Sequence, residues 1–296
     1  MEQDVAGGRG LIARIQRWWF APQPLGRVAV LRTLVYGFVI FDVFLVRPWV
    51  ALHGTVPGAL YRPLAIGDLL GLPTPTPLLV AVVKAALVAS ACAALVSRRA
   101  RVAGVVVFAL YLEWMVIAFS YGKVDHDRIA FLVALAVLPT AGAARWGERR
   151  ATEAAGWALR CIQVGVVVTY FASVFAKARF GGLDWVTGAT FMRAVLRRGS
   201  GLVEPLLEEP GLLVAGQVLL VAFELLSPLL LVGGRVGRAM VAVAFGFHLV
   251  TGLAIGIVFW PHLVCLLAFL PLERIRPVAL AAGRRRSYAS QITGGP

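Results

Sequence analysis

Charge is what this sequence has least of: Asp, Glu, Lys and Arg make up 15% of its 296 residues. Soluble domains carry about 25%, so a fold that faces water on all sides is excluded. Lysine is scarcer still, with only Lys84, Lys123 and Lys177 among 29 Lys+Arg. The three cysteines, Cys92, Cys161 and Cys265, lie far apart in apolar runs with no CxxC pair. They read as buried thiols, and neither a disulfide frame nor a zinc knuckle is supported. Acidic residues are few, 15 against 29 basic ones, a net charge of +14. Such an excess can mark a nucleic-acid binder, but here the cations sit in short clusters between apolar runs. That pattern reads as membrane topology, and a nucleic-acid partner is not expected.

What the chain has instead is hydrophobicity. AVILMFWYC supply 59% of it before its 31 glycines are counted, and the mean hydropathy is +0.82. No soluble core of this length hides so much apolar surface, so the expected fold is all-α, a polytopic membrane helical bundle. Apolar runs of spanning character fall near Arg27–Val46, Leu78–Val96, Val102–Phe119, Ile129–Ala144, Trp157–Ala176, Gly211–Val232, Ala239–Phe259 and Trp260–Leu272. About eight transmembrane helices are therefore expected. The first run lacks a small-residue cleavage site behind it and reads as a retained span. With eight spans, 17 of the 29 cations fall on the side of the two termini and nine on the other. The positive-inside bias then makes both termini cytoplasmic and the protein a multi-pass component of the plasma membrane.

Three regions follow. Residues 1–26 form a cytoplasmic tail in which Leu11, Ile12, Ile15, Trp18 and Trp19 share one helical face opposite Arg14 and Arg17, the pattern of a helix lying on the membrane surface. Residues 27–272 are the membrane domain, and 273–296 a basic tail that reads as disordered. A second interfacial helix is expected outside, where Phe191, Met192, Val195 and Leu196 repeat that spacing beside Arg193 and Arg197. The two halves share no motif, which argues against an inverted-repeat transporter.

An ionisable side chain in hydrocarbon costs about 2.5–3.5 kcal/mol on insertion scales, so each one within a span is informative. Arg32 and Arg160 lie near the cytoplasmic face and can snorkel. Asp42, Lys84 and Glu113 fall in the outer half of their spans, as a packing ion-pair set or as a polar pocket wall. The tract Asp125-His126-Asp127-Arg128 is the external loop after the third span, Lys177 ends the fifth span on that side, and His262 opens the eighth there. The Asp-His-Asp pattern with one distant histidine is weak as a metal site, and no metal is expected. His248 reads as a core histidine or a pocket residue, and Glu224 has no evident partner. Lys177 stands out because a desolvated lysine can lose its proton and act as a base, which arginine cannot.

These stretches resemble a known family, the vitamin K-dependent γ-carboxylase and its bacterial relatives with the horizontally transferred transmembrane (HTTM) domain. The similar segments are Ala29-Val30-Leu31-Arg32 through Phe41-Asp42, Asp125 to Arg128, Tyr170 to Lys177 with Leu183 to Gly188 behind it, and the late span from Phe247-His248. They come in the family's order and cover nearly the whole chain. The resemblance implies Lys177 as the base that deprotonates a reduced quinone (menaquinol or vitamin K hydroquinone), His126 as its support, and O2 and CO2 as co-substrates. Lys84, Glu113, Asp42, His248 and His262 would line the quinol pocket. An apolar, lipid-facing site suits that chemistry because it shields a strong base from water.

Two departures matter. The carboxylase has adjacent lysines where this chain has Ala176-Lys177. It also has a large lumenal domain, whereas this sequence stops shortly after the eighth run, so the expected substrate is a peptide or a small lipophilic molecule delivered by a partner or by the membrane lipid. The competing reading is a non-enzymatic membrane component of transport, peptide maturation or immunity. In that reading Asp42, Lys84, Glu113 and Glu224 are a proton relay or packing pairs.

Overall fold

A backbone surrounded by hydrocarbon must satisfy its own hydrogen bonds, which favours helices. The computed structural model describes residues 2–96 and 100–275 and is almost wholly helical there. The helices are α1 (Glu2–Trp19), α2 (Leu25–Phe41), α3 (Ala65–Leu69), α4 (Pro77–Val96), α5 (Ala100–Phe119), α6 (Ile129–Val137), α7 (Glu153–Gly181), α8 (Asp184–Thr187), α9 (Thr190–Arg198), α10 (Pro210–Leu225), α11 (Gly234–Ile255) and α12 (Trp260–Leu266). The sheet among the described residues is one short antiparallel ladder, Gln23–Pro24 against Ala151–Thr152.

Among the described residues, five helical segments are long and apolar enough to cross a membrane: Leu25–Val46, Pro77–Val96, Arg101–Phe119, Glu153–Gly181 and Gly234–Ile255. The other three runs expected to span are helical but shorter and broken. α6 gives way to a 3-10 turn at Leu138–Ala141 containing Pro139. α10 gives way to one at Ser227–Leu231 containing Pro228. α12 has Pro261 in its first turn and tightens at Leu267–Phe269. Proline has no backbone N–H and clashes with the preceding turn, so α6 and α10 give way where Pro139 and Pro228 forbid a continuous helix, while Pro261 opens α12 at a first-turn position that tolerates it. The expected amphipathic helix near the N-terminus is α1, and Arg160 of α7 places its guanidinium 4.5 Å from the Trp18 ring centroid. In the basic tail expected at 273–296, residues 276–296 lie outside the described residues.

Neighbouring segments run in alternate directions, so the bundle has two distinct ends. At one end Arg27 pairs with Glu273 at 2.8 Å. Arg32 donates to the carbonyls of Leu138 and Gly142. Those carbonyls belong to the broken end of α6, where helical partners run out, so Arg32 acts as the cap that the break requires. Gly156 of α7 has no room for a side chain against the Ala21 carbonyl.

At the other end, α2, α5 and the loop before α6 are tied by three polar side chains. One Asp42 oxygen accepts from Arg128 at 2.8 Å and the other from the Tyr111 hydroxyl at 2.9 Å. Arg128 also donates to the Tyr111 oxygen at 2.8 Å. Asp42 is 0% and Arg128 2% exposed, so their partners in this network stand in for water. Arg47 extends the set to Asp125 at 2.5 Å, and Lys123 reaches that same carboxylate. Burial works against ionisation of Asp125, but the Lys123 and Arg47 cations outweigh it and hold its pKa below the ordinary range.

Removing one partner of a buried pair leaves the other charged and unsolvated. Asp42→Ala should therefore cost about 3–5 kcal/mol, while Tyr111→Phe should cost about 1 kcal/mol. Equilibrium unfolding in detergent checks this, and equal losses from the two variants would show that charge compensation is not what the network supplies.

Candidate functional site

Behind that network lies a cavity of about 270 Å³, just under the lower end of the ~300–1,000 Å³ usual for ligand pockets. Its walls come from the C-terminal half of α7, from α10, from the end of α11, from the start of α12 and from the loop holding His126. The lining is mostly apolar, with Leu220, Phe247, Ile255 and Phe259 prominent. α8 and α9 cover one side of it.

Lys177 is the strongest polar feature. Its Nζ donates to both oxygens of Glu224 at 2.7 Å and to Ser173 Oγ at 2.5 Å. Ser173 is one helical turn back on α7, the spacing that puts two side chains on one face. Trp185 of α8 presents its ring 5.0 Å from the ammonium. The side chains of Lys177 and Glu224 are 15% and 5% exposed, so both charges are largely withdrawn from water. A lysine and a glutamate in this contact can hold their shared proton on either partner without leaving net charge in the cavity.

The opposite wall carries imidazoles. His248 Nε2 lies 3.0 Å from the Tyr170 hydroxyl, and His262 packs edge-on to Tyr170 with centroids 4.7 Å apart. The two histidine rings are 5.3 Å apart. His248 Nδ1 and both nitrogens of His262 are buried without a protein partner. Unpaired buried polar atoms are uncommon in native structures and point to a missing ligand or water. His126, in the 3-10 turn before α6, packs near Phe259. Burial pulls its imidazole below the ordinary histidine range, against the Asp127 carboxylate, and the Lys177 cation adds to the downward shift. The net downward shift favours the neutral imidazole, whose unprotonated ring nitrogen can accept a proton. Asp127 shifts upward through burial, against the neighbouring Arg128 and Arg47.

Of the residues expected at the site, Lys177, His126, His248 and His262 line this one cavity. Asp42, Lys84 and Glu113 do not, so the polar wall is made by other residues. Asp42 is consumed by Arg128 and Tyr111. Lys84 rests its ammonium 4.9 Å from the Phe44 centroid. Glu113 is half-buried on α5 and forms no ion pair among the described residues. The reason is architectural: α4 packs on α5 and on α2, and α5 on α6, away from the wall formed by α7, α10 and α11.

Glu224, without an evident partner in the sequence, is the counter-ion of Lys177. The signal was present, since two opposite charges within apolar runs of one bundle must each find compensation. Gln217 was missed entirely. Fully buried on α10, it accepts from the Phe191 amide at 2.6 Å and donates to the Val186 and Gly188 carbonyls at 2.5 and 3.1 Å. One side chain thus fastens α8 and α9 over the cavity. All three cysteines are free, and among the described residues no group of three or more His, Cys, Asp or Glu is arranged to hold a metal.

Compared with protein-family models, with curated proteins and with solved structures, the sequence finds no match.

Two measurements probe this geometry. Lys177→Met and Glu224→Leu should each destabilise the protein by about 3–5 kcal/mol, and the double variant should recover part of that loss. A coupling energy of about 0.5–3 kcal/mol is expected from the cycle, and strict additivity would dissolve the pair as an energetic unit. Gln217→Leu should raise hydrogen exchange in residues 184–198 by about 10²-fold, because it removes the bonds to Phe191, Val186 and Gly188, each worth about 1 kcal/mol. Unchanged protection there would mean that α8 and α9 are held by packing alone.

Proposed function

We propose that this chain is a multi-pass membrane protein resembling the HTTM domain of the vitamin K-dependent γ-carboxylase, with both termini cytoplasmic and the cavity at the outer face of the plasma membrane. The five long apolar helices support the membrane reading, and the three broken runs would complete eight segments. In this reading the cavity takes a reduced quinone, menaquinol or vitamin K hydroquinone, and Lys177 accepts its proton. The observation that carries the proposal is the meeting of Lys177 and His126 with His248 and His262 in one apolar-walled cavity.

The residues present fit such a ring. Aromatic and aliphatic walls suit its faces, and the unpartnered nitrogens of His248 and His262 suit its hydroxyls. When bound, the quinol would supply the reducing equivalents for chemistry with O2, with CO2 as a further co-substrate and a peptide or a small lipophilic molecule as acceptor. The chain's own part is proton handling. With the shared proton on a Glu224 oxygen, Lys177 Nζ carries a lone pair and can accept a hydroxyl proton. Neutral His126 is a second acceptor that can orient the same hydroxyl. α8 and α9 exclude water, which keeps a strong base from being quenched.

A second reading is a non-enzymatic component of transport, peptide maturation or immunity. The closed Lys177–Glu224 contact favours it, because an ion pair with both partners satisfied can serve packing alone.

The two readings separate on Lys177→Arg, which keeps charge and loses basicity. In membranes supplied with menaquinol and oxygen, the wild type should form quinone epoxide and the variant should lose about 10²–10⁴-fold of that rate, the usual worth of a general base. Epoxide formation at the wild-type rate by the variant would remove Lys177 from the chemistry, and none by the wild type would favour the non-enzymatic reading.

A further inference from the structure

Beside the apolar cavity lies a second, more polar cleft of about 500 Å³. Its floor and rim carry Arg193, Arg197 and Arg198 of α9, with Asp184 of α8 as its one carboxylate. All three arginines are exposed, and among the described residues none forms a salt bridge or a side-chain hydrogen bond. This contrasts with Arg27, Arg32, Arg47 and Arg128, each of which holds a specific acceptor. The cleft also shares four wall residues with the apolar cavity: Trp185, Thr190, Ala194 and Ile257 line both. A charged compartment and a greasy one therefore adjoin across a common wall.

We propose that this double compartment binds an amphiphile bearing a phosphate, with the phosphate on Arg193, Arg197 and Arg198 and the apolar part reaching toward the cavity. Guanidinium groups are planar, permanently charged forks whose N–H spacing matches phosphate oxygens two at a time. Three of them against a single carboxylate leave the cleft cationic. The apolar neighbour adds what a soluble phosphate would not need, a surface that rewards a hydrocarbon or ring system attached to the anion. Of the four shared residues, Trp185 carries the Lys177 cation on its ring, so an occupant of the cleft lies one side chain away from the ion pair. The inference concerns binding alone and stands whether or not Lys177 acts as a base.

The test uses the full-length protein in nanodiscs of zwitterionic phosphatidylcholine, titrated with dioctanoyl phosphatidic acid, glycerol 3-phosphate and dioctanoylglycerol. Phosphatidic acid should bind at least about tenfold more tightly than either of the others. Arg193→Gln/Arg197→Gln/Arg198→Gln should reduce it to the level of dioctanoylglycerol, while Asp184→Asn should tighten it several-fold by removing the opposing charge. The control Arg145→Gln/Arg149→Gln/Arg150→Gln, at the other end of the bundle, should leave binding unchanged. The exposed position of these arginines keeps the variants foldable, Arg150 giving up only a surface pair with Glu148, and an unchanged melting temperature in nanodiscs verifies it. Equal binding of glycerol 3-phosphate would make this a free-phosphate site and overturn the amphiphile. Equal binding of dioctanoylglycerol, unchanged binding by the α9 variant, or an equal loss from the control would overturn the arginine site itself.

Discussion

A charge withdrawn from water must be met by its opposite, and this structure is arranged around two such meetings. Asp42 with Arg128 and Tyr111 ties the ends of α2 and α5 to the loop before α6. Lys177 with Glu224 ties α7 to α10. Both lie at the same end of the bundle, and the loop from Asp125 to Arg128 joins them, since Arg128 serves the first and His126 faces the cavity of the second. The two pairs differ in what surrounds them. The first is sealed within packed side chains, whereas the second borders open space, where a ligand can alter the balance between its partners. Desolvation is costly for both, but only the second pays it at the edge of a cavity.

The sequence made the helical class and the apolar segments plain because hydropathy over a span-length window is a sum of many small terms, all of one sign. It could not show which runs stay continuous. Pro139 and Pro228 mark two of the breaks, yet membrane helices tolerate proline where a neighbour supplies the missing partner, as Arg32 does for α6. Lys177, His126, His248 and His262 were legible as candidates because polar groups are rare in such a chain. Their convergence in one cavity depends on helix order around the bundle, which no local pattern encodes. The same limit misplaced Lys84 and Glu113: depth along a span is readable, but the direction around its axis that meets the cavity is not. Glu224 and Gln217 show the complementary failure, since a lone polar residue in an apolar run declares a need without naming what answers it.

The covering elements add a specific division of labour. α9 offers its apolar side to the bundle through Phe191, whose backbone amide is held by Gln217, and leaves its arginines exposed. An interfacial helix on a membrane surface does the same with lipid beneath it. Here protein lies beneath it, and three of the four residues that separate the two compartments, Trp185, Thr190 and Ala194, belong to the same cover.

Gln217 and Glu224 are seven residues apart on α10, two turns along one face. One holds down the cover and the other grips the cavity lysine. Any guest that enters by lifting α8 and α9 must pull on the helix that carries the acidic partner of Lys177, and any rotation of that helix is felt by the cover. Cover and ion pair are thereby mounted on a single shaft, so a displacement of either is carried to the other through α10.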